Sequence, residues 1–245
     1  MLYGIISDIH GNYEALKKVL SFLEEKRVDR IINCGDVVGY GPQPNTCLNL
    51  IRETANLDTV AGNHDRTAVD LKKIKSFNSV ASRAIKWTQK QLTTEQLKFL
   101  GSRKVRITEN NLMFVHGSPR APLSEYLFDS TIASRNFKKM DTSLCFIGHT
   151  HCPACFQRDN HKKIELKLFS QNNKIKINPD YNYIVNVGSV GQPRDRNPRS
   201  CVCIYNTDSK DLSLHRIKYE VQKTQNKILS ENLPKFLAER LAWGK

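Results

Sequence analysis

Leu2-Tyr3-Gly4-Ile5-Ile6-Ser7-Asp8-Ile9-His10 is a short apolar run that ends in a carboxylate and an imidazole two positions apart. The run predicts a strand over residues 2–7, and the apolar spacing that follows predicts an amphipathic helix over about 12–26. Side chains two apart in an extended segment point to the same side, so we expect Asp8 and His10 to converge. Strand, polar loop and helix in this order are typical of an α/β fold.

The same arrangement recurs at four other places in the chain. Ligand-type side chains follow short apolar runs at Gly35-Asp36, Gly62-Asn63-His64-Asp65, His116 and Gly148-His149-Thr150-His151. Five of the seven histidines fall in these strings. Any one string could be only a turn, a cap or a surface group. Together they predict a single site at the carboxyl ends of the strands, where open α/β sheets bind their ligands.

Together with Asp8-Ile9-His10, and apart from Asp65, the strings supply two carboxylates, one amide and five imidazoles. A mixed nitrogen and oxygen set without thiolate suits manganese, iron, cobalt, nickel or zinc better than magnesium or calcium alone. Two such ions roughly 3.5–4 Å apart can clamp a phosphate ester and generate hydroxide at neutral pH. We therefore expect two divalent transition-metal ions as cofactors and a phosphorylated substrate.

Strand and helix alternate in the N-terminal half, and strand-like segments dominate the C-terminal half. The predicted strands after residue 100 lie near 103–107, 111–115, 143–147, 153–158, 163–169, 174–177, 182–187, 201–206 and 211–217. Helices are expected near 45–54, within 66–101, and at 219–230 and 235–243. We expect two packed β-sheets with helices outside. Residues 1–245 are predicted to be one domain, in which 66–101 could form a helical cap beside the site.

Composition limits the function classes. The chain has 245 residues, a hydrophobic fraction of 39% and a net charge of +14. The sequence contains no run of 18 apolar residues, so no membrane-spanning helix is expected. The predicted N-terminal strand lacks signal-peptide features, so we expect a cytoplasmic protein. The positive charge is either a solvated basic surface or an attraction for a polyanionic substrate. Nucleic acid is disfavoured as a partner, because neither an aromatic-interleaved basic motif nor a helix-turn-helix signature is present.

Cys152-Pro153-Ala154-Cys155 matches a C-x-x-C spacing. A redox dithiol would open a helix beside a strand, whereas this pair directly follows Gly148-His149-Thr150-His151 and contains Pro153. A structural zinc site would need a second pair, and Cys201-Val202-Cys203 has the wrong spacing. We interpret the seven cysteines as reduced thiols and this pair as small buried or half-buried residues.

At these motifs the chain resembles the calcineurin-like metallophosphoesterases. The residues that carry the resemblance are Asp8-Ile9-His10-Gly11-Asn12, Gly35-Asp36-Val37-Val38-Gly39-Tyr40-Gly41-Pro42, Gly62-Asn63-His64-Asp65, Val115-His116-Gly117-Ser118-Pro119 and Gly148-His149-Thr150-His151. The stretch Asn186–Asp195 looks like the glycine-serine loop of the compact bacterial and archaeal branch, often called YfcE-like. Val187 stands where that branch commonly has proline.

The resemblance implies a four-layer α-β-β-α sandwich of two mixed sheets and a ligand set by position. One metal would be held by Asp8, His10 and His151. The other would be held by Asn63, His116 and His149, and Asp36 would bridge both. The resemblance makes manganese the first expectation, with iron, zinc, nickel or cobalt as alternatives.

The resemblance also implies a phosphoester hydrolase in which a hydroxide between the metals attacks phosphorus and His64 assists the leaving group. Asp65 would orient the His64 ring, or cap a helix that starts near Arg66. Arg120 and Arg194 are candidates to grip phosphate, or else members of loop ion pairs.

We expect a phosphodiesterase for a small nucleotide-type substrate. A phosphomonoesterase, a protein phosphatase and a non-catalytic metal-binding scaffold are the alternatives, and the oligomeric state stays open. Tyr40 could stack a ring or simply pack the glycine-rich loop.

Overall fold

A computed structural model of the chain describes residues 1–167, 169 and 174–245. In that part of the chain, two six-stranded sheets form the centre of the fold. Their strands are β1 (Leu2–Ile6), β2 (Arg30–Asn33), β3 (Leu57–Thr59), β4 (Arg106–Glu109), β5 (Leu112–Val115), β6 (Leu144–Ile147), β7 (Ala154–Arg158), β8 (Ile164–Lys167), β9 (Lys174–Lys176), β10 (Asn182–Asn186), β11 (Ser200–Asn206) and β12 (Asp211–Ile217). The strand expected over 163–169 is present as β8, and residue 168 lies outside the described residues.

Both sheets are mixed, as the four-layer prediction requires. The first has the order β3-β2-β1-β11-β12-β9 and the second the order β4-β5-β6-β10-β7-β8. Strands β1, β2 and β3 are parallel to one another, and so are β5, β6 and β10. Parallel strands end at the same edge of a sheet, so the loops that follow these six strands meet there.

Helices cover the outer faces of both sheets. They are α1 (Tyr13–Glu25), α2 (Pro44–Glu53), α3 (Asn63–Val69), a 3-10 turn (Leu71–Ser76), α4 (Ser79–Gln91), α5 (Thr94–Ser102), α6 (Ser130–Phe137), α7 (Val221–Ser230) and α8 (Lys235–Trp243). Apolar side chains such as Tyr3, Phe114 and Phe146 fill the space between the sheets. A second apolar layer joins the first sheet to α1 and α2 through residues such as Leu16 and Leu48. The predicted α/β sandwich is confirmed.

Helix α6 was not predicted from the sequence. Its segment, Ser130–Phe137, is rich in residues with modest helix propensity. Asp129 caps its first turn by accepting the Ile132 N–H at 2.8 Å. Ala133 and Phe137 are buried against the second sheet, so packing rather than propensity stabilises this helix.

The predicted helical block at 66–101 is present as α3, the 3-10 turn, α4 and α5. The C-terminal helices α7 and α8 pack on it through a buried cluster that contains Ala84, Ile228 and Leu241, with Tyr40 against its edge. No helix in the described residues is both long and apolar enough to cross a membrane.

Candidate metal centre

The two loops that follow β1 and β2 are joined backbone to backbone. The Asp8 N–H donates to Gly35 O at 3.0 Å, the His10 N–H donates to Asp36 O at 3.0 Å, and the Gly11 N–H donates to Val37 O at 2.9 Å. These bonds hold the first two predicted ligand strings side by side at the edge of the first sheet. The first ligands therefore lie on a rigid backbone rather than on free loops.

Five predicted ligands adopt left-handed backbone conformations. The φ values are 54° for Asp8, 49° for His10, 56° for Asp36, 67° for His149 and 60° for His151. Residues other than glycine adopt this region at a cost, and such residues cluster at functional sites. The expected mechanism of convergence was wrong in one respect, because β1 ends at Ile6. Asp8 and His10 meet through these turns and not through the alternation of an extended strand.

The first ligand group consists of Asp8, His10 and His151, whose side chains are all buried. Nε2 of His151 lies 3.2 Å from Oδ1 of Asp8 and 3.2 Å from Nε2 of His10. Nε2 of His10 lies 3.7 Å from the same Asp8 oxygen. Three donor atoms from two distant parts of the chain therefore face one point.

The second ligand group consists of Asp36, His116 and His149, with Asn63 beside them. Nε2 of His116 lies 3.0 Å from Nδ1 of His149 and 2.9 Å from Oδ1 of Asn63. It also lies 3.3 Å from Oδ2 of Asp36. The fold thus brings together the side chains to which the resemblance assigns the second metal and the bridge, and their role as ligands stays a prediction.

Asp36 lies between the two groups. Its Oδ2 is 3.3 Å from Nε2 of His116 and 3.6 Å from Nε2 of His10. Its other oxygen accepts the His64 N–H at 2.9 Å. In the same way one oxygen of Asp8 accepts the His149 N–H at 2.9 Å, while the other faces the first group. In each carboxylate, a backbone N–H fixes one oxygen and leaves the second for the site.

Backbone carbonyls fix three of the imidazoles. Nδ1 of His10 lies 3.0 Å from Val38 O, Nδ1 of His116 lies 2.9 Å from Cys34 O, and Nδ1 of His151 lies 2.6 Å from Gln192 O. A carbonyl only accepts hydrogen bonds, so each Nδ1 carries a hydrogen, and in the neutral form of each ring the lone pair of Nε2 points into the site. Such outer hydrogen bonds orient histidine ligands in metal sites generally.

The donor set fits divalent metal ions. Burial lowers the pKa of His149 to about 3 and holds the pKa of His10 well below its ordinary value. Neutral imidazoles are the form that binds metal. Oδ1 of Asp8 and Nε2 of His149 are buried, and neither hydrogen-bonds to any residue that the structure describes. Buried polar atoms are normally satisfied, so an unpaired carboxylate oxygen that faces a histidine cluster is a position that a cation fits.

The adjacent Asp36 carboxylate favours the protonated form of His116. Burial lowers the pKa of His116, but the adjacent Asp36 carboxylate outweighs it and raises the pKa to about 9. Burial raises the pKa of Asp36 in turn, and the charges of His116 and His64 hold it well below its ordinary value. A cation bound at this group would take the place of the His116 proton.

His64 lies beside the ligands without belonging to the predicted set. Its ring stands 4.4 Å from that of Tyr40 and 4.6 Å from that of Phe77, measured between centroids. Nδ1 is buried and unpaired within the described residues, and Gly39 approaches it so closely that a Cβ there would come within 2.4 Å. Burial lowers the pKa of His64 to about 4, so the ring is neutral at neutral pH.

Asp65 has different partners from those expected. Its two oxygens accept the backbone N–H groups of Asp36 at 2.9 Å, Gly62 at 3.0 Å and Val38 at 3.2 Å. Helix α3 begins at Asn63, so Asp65 lies inside its first turn and is not the residue before it. Burial, followed by the charge of Asp36, raises the pKa of Asp65 to about 7. The side chain joins the Asp36 loop to the Asn63 turn and does not orient the His64 ring.

The two candidate arginines differ. Arg120 forms an ion pair with Glu125, which is the loop alternative that the sequence left open. Arg194 lies over the Tyr40 ring, with its guanidinium carbon 5.7 Å from the ring centroid, and donates to Oε1 of Gln192 at 2.8 Å. Its buried Nε has no hydrogen-bond partner in the described part of the chain. Of the two, only Arg194 faces the histidines.

Two aromatic residues at the site were missed. Phe77 contacts His64, and the ring of Tyr126 stacks on His149 with centroids 3.8 Å apart. Neither lies within a ligand string, so no local pattern marks them. The C-x-x-C pair, in contrast, is as expected, since Cys152 and Cys155 are free thiols, half-buried and buried respectively.

Comparisons with known proteins agree with this geometry. The calcineurin-like phosphoesterase superfamily domain matches residues 1–210. A metallophosphoesterase from Sphaerobacter thermophilus has 39% sequence identity and a TM-score of 0.90, over 100% of this chain and 99% of that one. Protein MJ0912 of Methanocaldococcus jannaschii is 36% identical over 100% of this chain and 98% of its own length. Protein PH1004 from Pyrococcus horikoshii, with 17% identity and a TM-score of 0.81 over 100% of this chain and 98% of that one, shares the fold. The chain therefore belongs to the calcineurin-like phosphoesterase superfamily and is a metal-dependent phosphoester hydrolase.

Proposed function

We propose that this enzyme is a phosphodiesterase for a small nucleotide-type substrate and that manganese is its metal. The observation that carries the proposal is the position of Asp36, whose Oδ2 lies within 3.6 Å of both His10 and His116. A cleft of about 170 Å³ opens beside it, lined by Asn63, His64 and His149. Its small volume favours a compact ester over an extended chain, and the net charge of +14 favours a polyanion.

The residues have separable roles in this proposal. Bound divalent ions would supply a nucleophile from water and neutralise charge on the phosphoryl oxygens. Asp36 keeps the two ligand groups in register. Arg194 binds a phosphoryl oxygen through its guanidinium group, which lies over the ring of Tyr40, a residue that lines the cleft. His64 donates from Nε2 to the leaving oxygen, because Nδ1 is the enclosed nitrogen.

The protonation of His64 is coupled to substrate in this proposal. Burial keeps the ring neutral in the free protein, with a pKa of about 4. A phosphoester anion beside Nε2 favours the imidazolium form. His64 therefore takes up a proton as substrate binds and delivers it to the leaving group.

A phosphatase is the second candidate. Serine/threonine-protein phosphatase 2 of Escherichia coli is 28% identical over 138 residues, which are 53% of this chain and 63% of that protein. The same ligand groups could cleave a phosphomonoester, which differs from a diester in carrying one organic group on phosphorus instead of two.

The test compares bis-p-nitrophenyl phosphate with p-nitrophenyl phosphate after chelation and add-back of manganese. Metal-dependent cleavage that is faster for the diester supports the proposal, and faster cleavage of the monoester supports the phosphatase. Absence of turnover with two metals bound to the protein would contradict both. Asp36→Asn serves as the inactive control and His215→Asn as the matched control, because His215 lies in β12 away from the ligands.

A further inference from the structure

The cleft beside the second ligand group has aromatic walls. Tyr40, His64, Phe77 and Tyr126 contribute rings to it from separate segments of the chain, and we name these four residues the aromatic cleft. Asn63 and His149 line the same cleft. The metal end and the aromatic walls therefore belong to one continuous space.

Two rings of the aromatic cleft directly contact histidines of the candidate metal centre. Tyr126 lies nearly parallel to His149, with an interplanar angle of 18° and a centroid distance of 3.8 Å. Phe77 contacts His64 at 4.6 Å. A group that packs on Phe77 or Tyr126 is therefore separated from His64 or His149 by a single aromatic ring.

The outer end of the cleft exposes aromatic surface to water. The side chains of Tyr126 and Phe128 are 44% and 59% exposed, and their rings stack with an interplanar angle of 5° and centroids 5.6 Å apart. Adjacent exposed rings form a contiguous apolar patch, and such patches mark ligand-binding or interaction sites. Packing of the protein's own core does not account for two rings that face solvent.

The charges around the cleft suit an anion. No carboxylate lines it among the described residues. The 3-10 turn that leads to Ser76 and Phe77 carries the exposed Lys72, Lys73 and Lys75, and none of these three forms an ion pair in the described ranges. A ligand with a planar ring and a phosphoryl group matches both the walls and the rim.

We propose that the aromatic cleft binds the planar ring of a nucleotide-type ester while its phosphoryl group lies at the ligand groups. This proposal rests on the proposed function for the orientation of the substrate. It assigns Phe77 and Tyr126 as specificity-determining residues. The polar side chains of Ser76, Asn78 and Ser124, which line the same space, would meet the edge of the ring.

The experiment measures calorimetrically the binding of adenosine 5′-monophosphate and of ribose 5-phosphate to the manganese-loaded protein. The two probes carry the same phosphate and differ by the ring, so the ratio of their affinities isolates the ring contact. We expect the ring to strengthen binding by about tenfold or more. Tyr126→Leu should reduce the ratio towards one and leave ribose 5-phosphate affinity unchanged. Phe236→Leu, which alters an exposed ring on α8, is the matched control.

A ratio near one in the wild-type protein would overturn the proposal. So would an unchanged ratio in both Tyr126→Leu and Phe77→Leu, provided that thermal melting shows each variant to be folded. Failure of the proposed function has a different signature. If bis-p-nitrophenyl phosphate is not cleaved but the ring still strengthens binding and Tyr126→Leu abolishes the gain, the cleft is supported and the phosphodiesterase assignment is not.

Discussion

Nε2 of His10 lies 3.2 Å from Nε2 of His151, although 141 positions separate the two residues. The Nδ1 atoms of both rings donate to backbone carbonyls, so both Nε2 atoms carry lone pairs. Two lone pairs at this distance repel each other unless a cation lies between them or a proton bridges them. Burial lowers the pKa of both imidazoles, which disfavours the proton. The pair is therefore preorganised to receive a cation.

Asp36→Asn should weaken binding at both ligand groups. Asp36 belongs to the second group, and its Oδ2 also lies 3.6 Å from Nε2 of His10 in the first group. Its loss therefore removes negative charge from both. We expect the metal content measured by elemental analysis to fall from two ions per chain to well below one. His215→Asn should retain two. Retention of both ions in Asp36→Asn would refute the bridging role.

His64→Ala should keep the metals and lose turnover. The ring belongs to the reaction end of the cleft, and a general acid contributes roughly 10²–10⁴-fold to a rate. The metal content should stay at two ions while kcat for the diester falls by about a hundredfold or more. Wild-type kcat in a folded, metal-loaded His64→Ala protein would exclude the assigned role.

Gly39→Ala should reproduce part of the fall in kcat expected for His64→Ala. Gly39 has a φ of 95°, and a Cβ there would come within 2.4 Å of Nδ1 of His64, so the ring must move. We expect a lower kcat with unchanged metal content. Gly101→Ala is the matched control, because its nearest neighbour would be 3.7 Å away at Val69.

Gly101 lies in α5, where alanine is favoured over glycine by about 0.5–1 kcal/mol. That control should therefore raise the free energy of unfolding and leave kcat unchanged. Equal loss of kcat in both variants would mean that the effect of Gly39→Ala is not specific to the His64 ring.

The cysteines should be poor nucleophiles in the native protein. Six of the seven thiols are buried, and only Cys152 is half-buried. Burial raises the pKa of Cys152, so less thiolate is present at a given pH and alkylation should still accelerate above the pH range of an ordinary thiol. Mass spectrometry after iodoacetamide treatment from pH 7 to pH 10 should find one modified residue. A fast second modification at Cys155 would contradict its place in the core.

The sequence predicted which candidate side chains would meet, because each follows a strand and strand ends are marked by short apolar runs. Asp36, His116 and the pair His149 and His151 lie where those runs place them. The left-handed turns at Asp8 and His10 were not predictable from periodicity, because they depend on hydrogen bonds to the Asp36 loop. Tyr126 was missed since it reaches His149 only through the folded loop after β5.

Tertiary contacts also explain two features that the sequence did not predict correctly, helix α6 and the partners of Asp65. Helix α6 forms because Phe137 and Ala133 are buried on the second sheet, a contact that its own sequence does not announce. Asp65 was assigned to His64 by adjacency. In the fold it accepts three backbone N–H groups, including that of Asp36 from a neighbouring loop.

Two metal ions that act together at this site should both be needed for turnover. This is measured by titrating manganese into chelated protein while the cleavage of bis-p-nitrophenyl phosphate is followed. We expect little activity at one equivalent and a plateau near two equivalents per chain. Full activity at one equivalent, or activity that is indifferent to metal, would contradict this expectation.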